Sequence, residues 1–177
     1  MYPDASVTIR LERVADTDAI ARIIEAAFQG ARHSSRTEHF IVGALRRCNQ
    51  LTISLVADEG EAIVGHVAIS PVTISSGATG WYGLGPLAVL PRHQSRGIGS
   101  MLTQAALAEL RRRGGVGCVV LGDPRYYGRF GFEAHPGLEL PGVPAGYFQA
   151  LVFGDELPVG RVRYHPAFDV SSETLPD

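Results

Sequence analysis

The chain has 177 residues, enough for one domain with a core of its own, and 45% apolar against 19% charged residues excludes a disordered or fibrous protein. Its net charge of -2 gives no general attraction to nucleic acid or anionic lipid, and no apolar run approaches the roughly 20 residues of a membrane span. Two cysteines, Cys48 and Cys118, and six scattered histidines have no metal-ligand spacing, and all 16 basic residues are arginine, so no mechanism can draw on a lysine of this chain. The N-terminal stretch lacks the basic and then apolar order of a secretory signal, so the expected compartment is the cytoplasm.

Val7 to Leu11 alternates as a short strand. Asp16 or Thr17 can cap a helix to about Phe28, whose Ile20, Ile23, Ile24 and Ala27 recur at helical spacing. Ser35 with Glu38 has the form of a capping box, and Phe40, Ile41, Ala44, Leu45 and Cys48 follow as an apolar-rich helix. Leu51 to Ala57 and Ala62 to Ile74 are rich in branched apolar residues and predict a hairpin across the acidic turn between them. Trp81 to Val89 reads as the next strand. Its Gly83, Gly85 and Pro86 are odd in a central strand, since glycine weakens the pleat and proline removes a donor, so a bulge or splay is expected near Gly85.

Ile98 to Arg113 is helix material with Ile98, Met101, Leu102 and Ala105 on one face and Leu107 and Leu110 widening it. Val116 to Leu121 predicts a buried strand, and a short helical or turn segment carries "DPRYYGRF". Phe148 to Phe153 and Val159 to Tyr164 are further strand candidates, and residues 171–177 read as a frayed tail. These elements amount to one mixed α/β sheet with helices on its faces.

The turn from Gln94 to Ser100 leads a strand into a helix whose first amides are unpaired and lie at the positive end of the peptide dipoles, which suits a phosphate. Gly97 and Gly99 clear space there, and Arg92 and Arg96 are placed to add charge-assisted contacts. A P-loop is ruled out because it needs a lysine, and a dinucleotide fingerprint needs a third glycine where Leu102 stands.

"VLPRHQSRGIGSML" resembles the acetyl-CoA signature of the GNAT superfamily of N-acetyltransferases, read here through Gln94, Gly97 and Gly99. The resemblance implies a central mixed, mostly antiparallel sheet of about six to seven strands with a splayed central strand and helices on both faces. It implies that the amides of Arg96, Gly97, Ile98, Gly99 and Ser100 hold the diphosphate of acetyl-CoA, and that backbone groups of Leu87 and Val89 bond its pantetheine arm. "YYGRFGF" carries the second half of the resemblance. Tyr127, four residues before Gly131, stands where many members have the tyrosine that gives a proton to the leaving thiolate, while Tyr126, Phe130 and Phe132 read as core aromatics. "LGPLAVLP", "VVLGDPRYYGRFGF" and "VRYHPAF" are most similar to the YhbS-like branch of predicted acetyltransferases.

The expectation is therefore one acetyltransferase domain over residues 1–170, moving an acetyl group to a primary amine by direct attack in a ternary complex, with no metal. The alternative is a non-catalytic acyl-CoA sensor. The acceptor is a small amine, an amino acid or a protein amine, with aminoacyl-tRNA as a minor candidate, and the chain is a monomer or a homodimer. No glutamate lies between Trp81 and Val89, so the base is left to His66 or Asp123 acting through water. Each has a structural reading beside that one: a hydrogen-bonded sheet histidine and a helix cap. Neither cysteine falls in a motif, so a covalent acetyl-cysteine is not favoured. "RRRG" at Arg111 to Gly114 is read as a solvated helix end.

Overall fold

A computed structural model describes residues 6–31, 37–60 and 62–169 of the chain. In chain order it contains β1 (Thr8–Leu11), α1 (Thr17–Phe28), α2 (Glu38–Arg47), β2 (Ile53–Asp58), β3 (Ile63–Pro71), β4 (Thr73–Ile74), β5 (Trp81–Val89), α3 (Ile98–Arg112), β6 (Gly117–Leu121), α4 (Pro124–Tyr127), β7 (Leu138–Glu139), β8 (Phe148–Val152) and β9 (Gly160–Arg163). Six strands form the main sheet in the order β1-β2-β3-β5-β6-β8, antiparallel except for the parallel pair β5 and β6. Strands β4, β9 and β7 make a separate small sheet.

Helix α3 covers one face of the main sheet, where Leu102, Ala106 and Leu110 pack on Leu55, Val67, Ile69 and Leu84. On the same strands Val56, Ala68 and Ala88 turn to the other face, toward the Ile20, Ile23 and Ile24 stripe of α1, the bulge in β5 having shifted its alternation between Leu84 and Ala88. Farther along that second face, Trp81, Val119, Phe148 and Ala150 pack against Val72, Ile74, Leu138 and Val162 from the segments of the small sheet. Because β2 and β3 are covered on both sides, they are buried continuously rather than on alternate residues, and the polar Ser54, His66 and Ser70 are buried with the apolar majority.

The run from Ala62 to Ile74 is not one strand. It leaves the main sheet after Pro71, and Thr73–Ile74 pairs with β9 instead. A continuous branched run has no period that could mark this transfer. Asp16 precedes α1, but its carboxylate accepts from the Arg10 guanidinium (2.8 and 3.2 Å) and the Arg13 N–H (2.6 Å) and does not cap the helix. Ser35 of the expected capping box and the expected tail at 171–177 lie outside the described residues. No helix among the described residues is long and apolar enough to cross a membrane.

Candidate active site

Strands β5 and β6 are bonded only where Trp81, Tyr82 and Gly83 meet Gly117, Cys118 and Val119. Beyond Gly83, β5 stays with β3 as far as Val89, while β6 stays with β8 as far as Leu121, so the sheet opens into a V. The register between β3 and β5 slips where Val67 faces Leu87 and Ile69 faces Leu84, which leaves Gly85 and Pro86 as the bulged pair. Gly85 has a φ of 147°, a conformation that side chains resist. After the bulge, the Leu90 N–H bonds the Val64 carbonyl (2.9 Å). By strand alternation Leu87 and Val89 turn their backbone groups the other way, into the V. The Val89 carbonyl is taken there by the Gln94 side-chain amide (3.0 Å), which ties the following turn to the strand end.

That turn enters α3 through Gly97, at φ 81°. The first intrahelical bond runs from the Met101 N–H to the Gly97 carbonyl (3.0 Å), so the amides of Ile98, Gly99 and Ser100 have no acceptor within the helix. A recess of about 400 Å³ opens in front of them, lined by Leu87, Val89, Gln94, Ser95, Gly97, Gly99, Ser100, Tyr126 and Arg129. A Cβ on Gly99 would stand 2.8 Å from the Tyr126 hydroxyl. That hydroxyl is buried and has no hydrogen-bond partner among the described residues.

Arg129 supplies the cation of the recess. Its guanidinium lies 4.6 Å from the centre of the Tyr126 ring, donates to the Tyr126 carbonyl (3.2 Å) and reaches the Ser100 hydroxyl (3.5 Å). Sequence reasoning passed over this arginine and read Tyr126 as a core aromatic, although both lie in the "YYGRF" stretch it had marked and both line the recess. Arg92 and Arg96 are not among the lining residues. The Arg96 side chain pairs with Glu59 (3.3 Å), which also receives His93 (3.1 Å), so its charge is held by the β2–β3 hairpin and only its backbone belongs to the turn.

Tyr127 sits one turn after the end of β6, on α4, which Asp123 caps by accepting the Arg125 N–H (2.8 Å). Its ring covers Gly122, a position any larger residue would block. It meets Tyr126 and Phe132 edge-on, at 4.8 and 5.8 Å between ring centres. Burial pushes its hydroxyl pKa well above the usual phenol range, with Tyr126 and Cys118 adding to the rise, so the group stays neutral. Unlike Tyr126, it packs against the core cluster beneath α3 and does not line the 400 Å³ recess.

His66 lies fully buried on the other face, with its Nε2 2.8 Å from the Ser54 hydroxyl. Ser54 gives its proton to Glu12 (2.5 Å), a carboxylate also gripped by Arg46 through two bonds of 3.0 and 2.8 Å. A hydroxyl has one proton to give, so His66 Nε2 must be the donor to Ser54, and the ring is the neutral Nε2–H tautomer. Burial lowers its pKa to about 4, against the opposing pull of Glu12. His66 is thus a hydrogen-bonded sheet histidine beneath α1, and Asp123 is a helix cap.

The fold and the recess define a class. Residues 17–132 match the Acetyltransferase (GNAT) family. A curated relative, the uncharacterized N-acetyltransferase YhbS of Escherichia coli strain K12, is 35% identical over 169 residues, covering 91% of this chain and 98% of that one. The chain belongs to the GNAT acetyltransferase family.

Two solved structures are similar over nearly the whole length. A GNAT family acetyltransferase from Brucella melitensis in complex with acetyl-CoA is 47% identical, with a TM-score of 0.84, and the match covers 93% of this chain and 99% of that one. The YhbS N-acetyltransferase of Escherichia coli in complex with CoA is 32% identical, with a TM-score of 0.83 and 96% of each chain covered.

Proposed function

We propose that this enzyme carries an acetyl group from acetyl-CoA to a primary amine by direct attack within a ternary complex. The observation that carries the reading is the convergence of three unpaired α3 amides and an open β5 edge on one recess. The partnerless Tyr126 hydroxyl and the open space around Gly97 support the fit of a diphosphate there, since a large anion needs donors and no Cβ in its way. Arg129 adds the charge that a diphosphate calls for. Leu87 and Val89 bond the pantetheine arm as a sheet edge bonds an added strand.

Acetyl-CoA supplies an activated acyl carbon and a good leaving group. Tyr127 gives its hydroxyl proton to the departing sulfur, and the proton that the attacking nitrogen sheds returns to the tyrosine through water. The C–N bond forms, the C–S bond breaks, and the amine's proton ends on the thiol without any outside acid or base being consumed. Burial suits Tyr127 to this task because it keeps the hydroxyl protonated where an exposed phenol would begin to ionise. An alkyl amine with a pKa near 10.4 must lose a proton before attack, so kcat/KM should climb with pH through the neutral range.

Calorimetry with acetyl-CoA and an acetyl-CoA consumption assay over grouped amines test the reading together. Tyr127→Phe should lower turnover by about one to three orders of magnitude with acetyl-CoA affinity unchanged. Absence of saturable acetyl-CoA binding by the folded wild type would refute it.

A further inference from the structure

The face of the main sheet opposite α3 is covered by two separate pieces, α1 with α2 over β2 and β3, and the small sheet over β6 and β8. Tyr164, the residue after β9, lies where they meet. Its ring packs with the small-sheet cluster and lies 4.9 Å from Phe168, whose neighbour Ala167 is buried against Ile41 and Leu45 of α2. Beneath it is Gly83, the last β5 residue bonded to β6 and hence the vertex of the V. The ring fills the place of a side chain there: a Cβ on Gly83 would stand 3.0 Å from ring atom Cδ1 and 3.1 Å from Cζ.

Directly opposite Gly83 in the β3 register is Ser70, fully buried. Opposed residues of an antiparallel pair share a face, with Cβ positions about 4.5–5.5 Å apart. Ser70 and the Tyr164 ring therefore lie over the same vertex. The two hydroxyl oxygens are both buried and have no hydrogen-bond partner among the described residues. Buried hydroxyls without partners are costly and scarce, and two at one vertex mark a place for a polar ligand. Burial also raises the Tyr164 pKa, so both groups are neutral and offer lone pairs to an N–H donor.

We infer that Ser70 and Tyr164 form the seat of the acceptor amine, each oxygen accepting one N–H, on the face of the sheet opposite the one against which Tyr127 packs. A neutral primary amine has two such hydrogens and one lone pair. Holding both hydrogens on this side leaves the lone pair aimed into the V, where the thioester lies on the proposed function, on which this inference rests. A secondary amine can satisfy only one of the two oxygens, so the seat selects primary amines.

The test compares wild type with Tyr164→Phe and Ser70→Ala, using alkyl amines, amino acids and a free-N-terminal peptide together with their N-methyl counterparts. Each variant should lower kcat/KM for the primary amine by about ten- to a hundredfold, mainly through the amine KM. Preference over the N-methyl amine should collapse, while acetyl-CoA affinity is retained. Thermal midpoints should stay level or rise, because each change removes a buried hydroxyl that has no protein partner. An amine KM equal to wild type in both variants overturns the seat and leaves the proposed function standing. Loss of thermal stability and acetyl-CoA affinity in step with activity makes the residues structural and also overturns it. A wild type that binds acetyl-CoA yet acetylates no amine overturns both readings.

Discussion

Two adjacent tyrosines occupy different places because neighbouring residues on a short helix point in different directions. The Tyr126 hydroxyl faces the α3 N-terminus, while Tyr127 covers Gly122 at the end of β6. The distance from Tyr127 to Gly131 made the second residue legible in the sequence. No local pattern marked the first, whose significance comes from Gly99, on another element. The arginines teach the same lesson. Arg96 stands inside the signature but is engaged by Glu59, a pairing set by the β2–β3 hairpin, whereas Arg129 reaches the recess from α4's far side. Arg129→Ala should weaken acetyl-CoA binding about three- to tenfold, with the difference shrinking as salt rises. Arg96→Ala should stay within about twofold. Titration calorimetry at two ionic strengths decides between them, and equal losses for the two arginines would contradict this division.

At the scale of elements, β5 was legible because its glycines and proline break the rules of a central strand, and the bulge and splay lie where they do so. The α3 turn was legible because its glycines act over a few residues. The small sheet was not. Strands of two residues, such as β4 and β7, are too short for alternation to register, and β7 had no counterpart among the predicted elements. The same shortness makes the cover over the vertex depend on close contact at Gly83. Gly83→Ala forces a methyl into the Tyr164 ring, and neither the paired strand nor the ring can easily yield. Overpacking of this kind costs about 1–3 kcal/mol, a fall of roughly 3–10 °C in thermal midpoint for a chain of this length. A midpoint equal to wild type in a melting scan would mean that Tyr164 does not rest there.

For the whole molecule, the buried charge network across β1, β2 and β3 predicts how stability follows pH. Folded His66 has its pKa lowered to about 4, while the unfolded residue titrates near 6.5. Above 6.5 both states are neutral and the full stability is present. As pH falls below 6.5 the unfolded chain gains a proton that the folded one refuses, so stability declines, by about 2–3 kcal/mol at pH 4.5. Asp16 and Asp58, whose pKa values are lowered chiefly by hydrogen bonds from Arg10, lose their contribution only at lower pH, and Glu12 and Glu109, also held below the usual carboxylate range, add to the decline only at the bottom of this window. Denaturant unfolding at several pH values between 7.5 and 4.5 would show the slope, and a flat profile would count against a neutral buried ring. The matched family segment, residues 17–132, contains the α3 turn, β5 and Tyr127, but it stops short of β7, β8, β9 and Tyr164. The α3 turn, β5 and Tyr127 were therefore readable as a shared signature. The proposed acceptor side joins Ser70 to a residue from the far end of the chain, and only the folded backbone brings them together.

Three ladder pairs, with the Val116 N–H bonded to the Gly80 carbonyl (2.8 Å) just before them, fasten the strands of the block β1-β2-β3-β5 to those of the block β6-β8. So slight a joint makes the main sheet less a continuous fabric than two stiff leaves on a common spine. A molecule lying between the leaves would act as a splint, supplying the lateral fastening that the polypeptide itself withholds.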